Sequence, residues 1–418
     1  MAENTTTDPV DAPLETHRLS DEARDRTEVA NKKEQRGKLE KFLRVVIPVL
    51  GFIILTYTIV LGILFLMGWT AAPLPFTQKD DQPNPVVSSA EKIDLSTWTP
   101  EELAAQMCMI YISGSRSDIT GWAQQGIGGM VISGNTVPAT LKANASDAAK
   151  KAPHGVLAFI ASEALESEEL SSAADLGKLT ASEIENHTST YGATLRSAGV
   201  NCILGPSADV GHRGGALTKA NMTFSDDADT VAICAKAWAA GMGKQQIGTV
   251  LKHWPGLGGY ADISDAVVAY KPLSDLESTE VRAFKQAADR NTTMVMVGHV
   301  VVPGMTEPDI PASVSPAALS YLRRDVGDTV IILADDVQQI VPTRLAETSK
   351  YAAVEAIDAG ADMVLFRPTS LGDTAIIKEI ADSISSGILS RSLVESKVAR
   401  ILRAKASMGL SPALKSTF

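Results

Sequence analysis

From residue 95 onward, short apolar runs alternate with longer stretches whose apolar positions recur every three to four residues. The runs lie at 108–112, 129–132, 156–160, 201–204, 249–252, 293–297, 329–333 and 362–366, each bounded by glycine, proline or a polar residue. Continuous apolar runs of this length read as strands buried on both faces. The intervening stretches, notably 182–198, 229–241, 277–289 and 350–359, carry the helical period. Strand and helix in alternation predict a parallel sheet with crossover helices. Eight such units in the length available fit a (β/α)8 barrel; an open doubly wound sheet is the competing architecture, but no glycine fingerprint follows the first strand. The barrel opens with a helix start at Thr99-Pro100-Glu101-Glu102, where Thr99 is placed to cap, Pro100 to occupy the first helical position and Glu102 to close a capping box.

The chain before the barrel patterns differently. Residues 1–44 are polar and alternate acid with base, a composition that cannot bury enough apolar surface to order itself. Residues 45–69 contain no Asp, Glu, Lys or Arg, which at about 1.5 Å per residue suffices to cross an apolar layer of about 30 Å. Lys32, Lys33, Arg36, Lys38, Lys41 and Arg44 crowd the N-terminal side of this stretch, so the expected topology is a single-pass membrane protein with a cytoplasmic N-terminus and an extracytoplasmic body. A cleaved signal peptide is the rival reading, although the run is long and starts late for one. Residues 70–94, with Pro73, Pro75, Pro83 and Pro85, suit an extended linker, which leaves 95–418 for the barrel.

Composition narrows the partners. A net charge of −11 argues against nucleic acid, whose binding draws on clustered Lys and Arg. Cys108, Cys202 and Cys234 lack metal-ligand spacing and read as small buried apolar groups. No zinc, nucleotide or other cofactor motif occurs, and none is expected.

In a (β/α)8 barrel the chemistry collects where strands end, so the polar residues there are the candidates. They are Glu163 after the third run, Asp209 after the fourth, Lys252 and His253 after the fifth, His299 after the sixth, Asp335 and Asp336 after the seventh and Arg367 after the eighth. A carboxylate such as Asp335, held at the end of a rigid strand, suits nucleophilic attack on an anomeric carbon if a second group protonates the leaving oxygen. That second carboxyl group would come from Asp262 or Asp265 in the glycine-rich segment that follows Lys252-His253-Trp254-Pro255-Gly256-Leu257-Gly258.

This segment resembles the Lys-His-Phe-Pro-Gly-His-Gly signature of glycoside hydrolase family 3, especially its single-barrel bacterial β-N-acetylhexosaminidases. Ile332-Leu333-Ala334-Asp335-Asp336-Val337 is similar to the family's strand-seven motif, which carries the nucleophile onto Asp335. Asn201 with Pro206 and Asp209, Gly298-His299, Gly360-Ala361-Asp362 and the closing helix at 398–403 extend the likeness over about residues 97–410. The resemblance implies a retaining glycosidase acting on β-linked N-acetylhexosamine or related cell-wall sugars, with Lys252, His253, His299, Glu163 and Asp336 binding the sugar.

The likeness is degenerate at three places. The family's Asp-His acid/base pair falls on Ile263 and Asp265, the aspartate of its strand-three motif on Ala161, and the arginine of its Arg-Ser-Phe motif on Met222. Two functions therefore stay open. One is a membrane-anchored glycosidase with Asp265 or Asp262 as a replacement acid. The other is a catalytically silent barrel that binds glycan or a protein partner at the cell surface.

Overall fold

The computed structural model describes residues 93–112, 115–132, 139–154, 158–162, 171–260, 271–340, 349–370 and 372–410. The proposed tail, the apolar stretch 45–69, the linker through residue 92, and Glu163, Asp262 and Asp265 lie outside the described residues. Among the described residues no helix is long and apolar enough to cross a membrane.

Eight parallel strands close into a barrel in chain order: β1 (Cys108–Ile112), β2 (Gly129–Ile132), β3 (Ala158–Ser162), β4 (Cys202–Leu204), β5 (Gly248–Trp254), β6 (Met294–Val297), β7 (Ile331–Ala334) and β8 (Met363–Phe366). Closure is made where β8 returns to β1, with Cys108 paired to Val364 and Ile110 to Phe366. The apolar runs become strands because both faces are covered: β2, β6, β7 and β8 are buried at every position. The first helix among the described residues, Pro100–Gln106, starts as its sequence predicts, with Thr99 Oγ1 accepting from the Glu102 N–H and the Glu102 carboxylate accepting from the Thr99 N–H.

Several elements differ from the sequence pattern: β5 runs on to Trp254, two residues past its apolar run, and β7 starts two residues late, at Ile331. β3 lies two residues later than the run at 156–160 suggests, in register with β2 through Ala158–Ala161. The helical pattern at 277–289 is broken into the helices Leu273–Ser278 and Glu280–Ala287, joined at Thr279. The break lets Glu280 turn inward, where it is buried against His212 and Lys271. A periodicity measure registers apolar spacing and is blind to a buried ion cluster.

The last described helix, Arg391–Ser407, packs against the barrel with an internal cation. Lys405 is buried, its ammonium donates to Gln106 Oε1 at 2.8 Å, and burial pushes its pKa down to about 7. An unfolded lysine titrates at about 10.4, so between about pH 7 and that value the unfolded chain binds the extra proton and stability rises with pH. Below pH 7 the cost of the buried charge is imposed in full. Chemical denaturation at a series of pH values is expected to show this rise in the wild type and a flatter profile in Lys405→Met.

Candidate active site

Local sequence explains why the strand ends carry the chemistry. β5 keeps register with β6 through Leu251, then shifts before Trp254, and Lys252 and His253 occupy the irregularity. The peptide bonds Lys252–His253 and Trp254–Pro255 are both cis. The turn is held from below by Asp209, which is fully buried after β4. Asp209 Oδ2 accepts from the His253 N–H (3.0 Å), His253 Nδ1–H (3.0 Å) and the Ser207 hydroxyl (2.9 Å), while Oδ1 accepts from the Leu257 N–H (2.6 Å). Burial alone would push this carboxyl up, but the His253 imidazole and the hydrogen bonds together hold it below the usual aspartate value. With Nδ1 engaged by Asp209, His253 keeps Nε2 as the ring nitrogen without a partner among the described residues, and its side chain is 14% exposed. A fixed imidazole with one open nitrogen suits a hydrogen bond to a sugar hydroxyl.

The glycine-rich turn beyond Pro255 is shaped by close approach. A Cβ at Gly258 would lie 1.7 Å from the Val210 carbonyl oxygen, and one at Gly256, whose φ is +134°, would lie 2.4 Å from Glu280 Cγ. Only glycine permits this packing. Gly258→Ala is expected to cost about 1–3 kcal/mol, because the obstructing atom is backbone and cannot rotate away; thermal unfolding of the variant checks it. Beneath the turn, Glu280 Oε1 accepts from Lys271 Nζ (3.1 Å) and from His212 Nε2 (2.9 Å), and Thr279 donates its hydroxyl to Oε2. Burial raises the Glu280 pKa, yet the Thr279, Lys271 and His212 contacts prevail and leave it lowered.

Asp335 and Asp336 follow β7 directly and do different work. Asp336 is buried and consumed: Oδ1 accepts from the Gln338 N–H (3.2 Å), and Oδ2 from Gln339 Nε2 (3.3 Å) and Arg367 Nε (3.2 Å). Asp335 is half-buried, its N–H donates to the Val297 carbonyl (3.0 Å), and its Oδ1 accepts from the Asp336 N–H (2.8 Å). Its Oδ2 has no hydrogen-bond partner among the described residues. Of the three described strand-end aspartates at this end of the barrel, Asp335 alone keeps an oxygen to offer.

His299, expected on the sugar, is placed beneath the two aspartates. Its Nε2–H donates to the Asp336 carbonyl at 2.9 Å, so Nδ1 is the acceptor and takes the Ser313 hydroxyl proton at 2.7 Å. Burial pushes this imidazole below its ordinary value, and the Asp335 charge offsets part of that. With both nitrogens committed, His299 positions the turn that carries Asp335 and Asp336.

Lys252 is buried at the mouth, paired to Ser207 across an isolated bridge. Met222, which the sequence comparison sets opposite an arginine, packs its partly buried side chain against the core and has no side-chain N–H to offer a ligand.

Sequence reading missed Tyr111 and Ser313. Tyr111 sits in β1 beneath Arg367, whose guanidinium carbon lies 3.7 Å from the ring centroid. Burial first, and then the Asp335 carboxylate, push the Tyr111 phenol up to about 12. A signal existed for Tyr111, which interrupts the otherwise apolar β1 run near its end. None existed for Ser313, which reaches His299 from a 3-10 turn at Ala312–Val314.

Comparison with known proteins gives a consistent picture. Residues 105–404 match the family described as the glycosyl hydrolase family 3 N-terminal domain. Beta-hexosaminidase LpqI of Mycobacterium tuberculosis is 28% identical over 232 residues, covering 54% of this chain and 59% of LpqI. Beta-hexosaminidase of Xylella fastidiosa strain 9a5c is 30% identical over 183 residues, covering 43% of this chain and 53% of that protein. The match thus spans between half and three-fifths of these curated relatives. Among solved structures, the β-N-acetylhexosaminidase of Beutenbergia cavernae superposes with a TM-score of 0.65 at 23% identity, covering 74% of this chain and 98% of that one, a likeness of fold.

Proposed function

We propose, on the premise that this chain belongs to the glycosyl hydrolase family 3 N-terminal domain family, that it is a glycosidase hydrolysing β-linked N-acetylhexosamine or related cell-wall sugars with retention of configuration. The observation that carries this reading is the open Oδ2 of Asp335, at the end of β7, beside aspartates whose oxygens are all committed. In this reaction Asp335 attacks the anomeric carbon as the glycosidic bond breaks, the leaving oxygen takes a proton, and water then cleaves the glycosyl ester. The proton donor is assigned to Asp265 or Asp262, and Lys252 and His253 bind sugar hydroxyls. We assign Asp336 and His299 to holding Asp335 in place, and Glu163 to the sugar. The body works outside the cytoplasmic membrane, tethered by residues 45–69.

The test is turnover by the full chain of aryl N-acetyl-β-glucosaminides and β-glucosides, with proton NMR of the first anomer released. Retention supports the reading; inversion removes Asp335 as nucleophile. A second reading is supported by the Met222 side chain, which cannot replace an arginine on a sugar: a silent barrel that binds glycan or a protein at the cell surface. It is favoured if the folded protein retains glycan without any turnover.

A further inference from the structure

Among the described strand-end cations, Arg367 is the one that the reaction above does not place on the sugar. It follows β8 directly, and two side-chain contacts hold its guanidinium while a third holds its backbone. The guanidinium lies over the Tyr111 ring at 3.7 Å, Nε donates to Asp336 Oδ2 at 3.2 Å, and the backbone N–H donates to Gln338 Oε1 at 2.8 Å. The pairing with Asp336 uses Nε alone. Neither terminal nitrogen, Nη1 or Nη2, has a hydrogen-bond partner among the described residues, and the side chain is 55% exposed.

An arginine serving only as counter-ion to Asp336 would be expected to pair through two nitrogens, because the fork of the guanidinium matches both carboxylate oxygens. Here Asp336 is already satisfied on both oxygens by Gln338 and Gln339. The stacked ring immobilises the guanidinium at no cost to its donors, so little rotamer freedom remains to be lost when a ligand arrives. A flat, held pair of N–H2 groups at the mouth of a barrel is a receptor for a planar anion.

We propose that Arg367 is a specificity-determining residue that reads a carboxylate on the saccharide, making acidic sugars the preferred ligands of this site. The proposal rests on the glycan-binding reading above and adds a substrate class to it. The carboxylate has two chemical sources, the ring carboxylate of a uronic acid and a lactyl ether on an N-acetylhexosamine.

Binding separates the proposal from catalysis. In the full chain carrying Asp335→Asn, which removes turnover, calorimetry is run with two matched pairs of methyl β-glycosides: glucuronide against glucoside, and 3-O-lactyl N-acetylglucosaminide against N-acetylglucosaminide. The acidic member of at least one pair is expected to bind about tenfold more tightly than its neutral twin, as one charge-assisted bidentate contact warrants. The pair that shows the preference identifies the source. Adding Arg367→Met is expected to abolish the preference, bringing the two members of each pair within about twofold of one another whatever their common affinity becomes. Arg367→Lys is expected to resemble Met, because a point charge cannot reproduce the fork. Melting curves of each variant confirm that it is folded. Equal binding of acidic and neutral sugars overturns the proposal and leaves the glycosidase reading standing if the wild type turns over neutral substrates. A preference that survives Arg367→Met overturns it as well, and failure of every sugar to bind removes the glycan-binding reading along with it.

Discussion

Asp335→Asn is expected to reduce turnover of any substrate the wild type accepts by on the order of 10⁴-fold or more, the scale seen when a covalent nucleophile is removed. The amide cannot form the glycosyl ester, and among the described residues neither neighbouring aspartate can take over. Asp336 is locked by Gln338, Gln339 and Arg367, and Asp209 lies buried beneath β5 with both oxygens engaged. The fold should barely notice the change, since the Asn carbonyl can still accept from the Asp336 N–H as Oδ1 does now. An unchanged melting temperature beside lost turnover would separate chemistry from folding. Residual turnover within about tenfold of wild type would mean that this carboxylate is not the nucleophile.

Asp209→Ala carries the largest expected cost in stability, about 3–5 kcal/mol, because it strands the partners of a buried charge. The His253 N–H, His253 Nδ1–H, Leu257 N–H and Ser207 hydroxyl would all lose their acceptor. Asp209→Asn should cost less, since one oxygen remains, but its NH2 group would face donors. Both changes free the His253 ring, so activity should fall further than stability alone explains. The pH dependence follows from the lowered pKa of Asp209 in the folded protein. Its contribution is complete above the unfolded aspartate value of about 3.9 and is lost as pH falls through the depressed folded value. Denaturation of wild type and Asp209→Asn between neutral and acid pH checks this: the gap between them should narrow on acidification.

Much of the barrel was legible because a short buried strand writes itself into the chain as an unbroken apolar run. β1 and β2 match their runs residue for residue, and the capping box at Thr99 is a local device that needs no distant partner. The broken helix at Thr279 was not legible, because its cause, the buried Glu280, is satisfied by His212 from a different part of the chain. The glycines of the strand-five turn were legible as a motif, but the reason for Gly258 is a carbonyl at Val210.

The same division runs through the site. The sequence by itself determined that Asp209, Lys252, His253, His299, Asp335, Asp336 and Arg367 would stand at strand ends, since the position of a polar residue relative to an apolar run is a local property. It also determined the family, through a motif whose residues are contiguous. Only the tertiary structure decided which of those groups is open to a ligand. Asp209 is closed by Leu257, 48 residues away, Asp336 by Arg367, 31 residues away, and His299 by Asp336 and Ser313. A hydrogen bond is made by proximity in space, and the folding of the barrel alone brings these partners within 3 Å or so of one another. That is why three equivalent-looking aspartates in the sequence become two structural anchors and one carboxylate with an oxygen to spare.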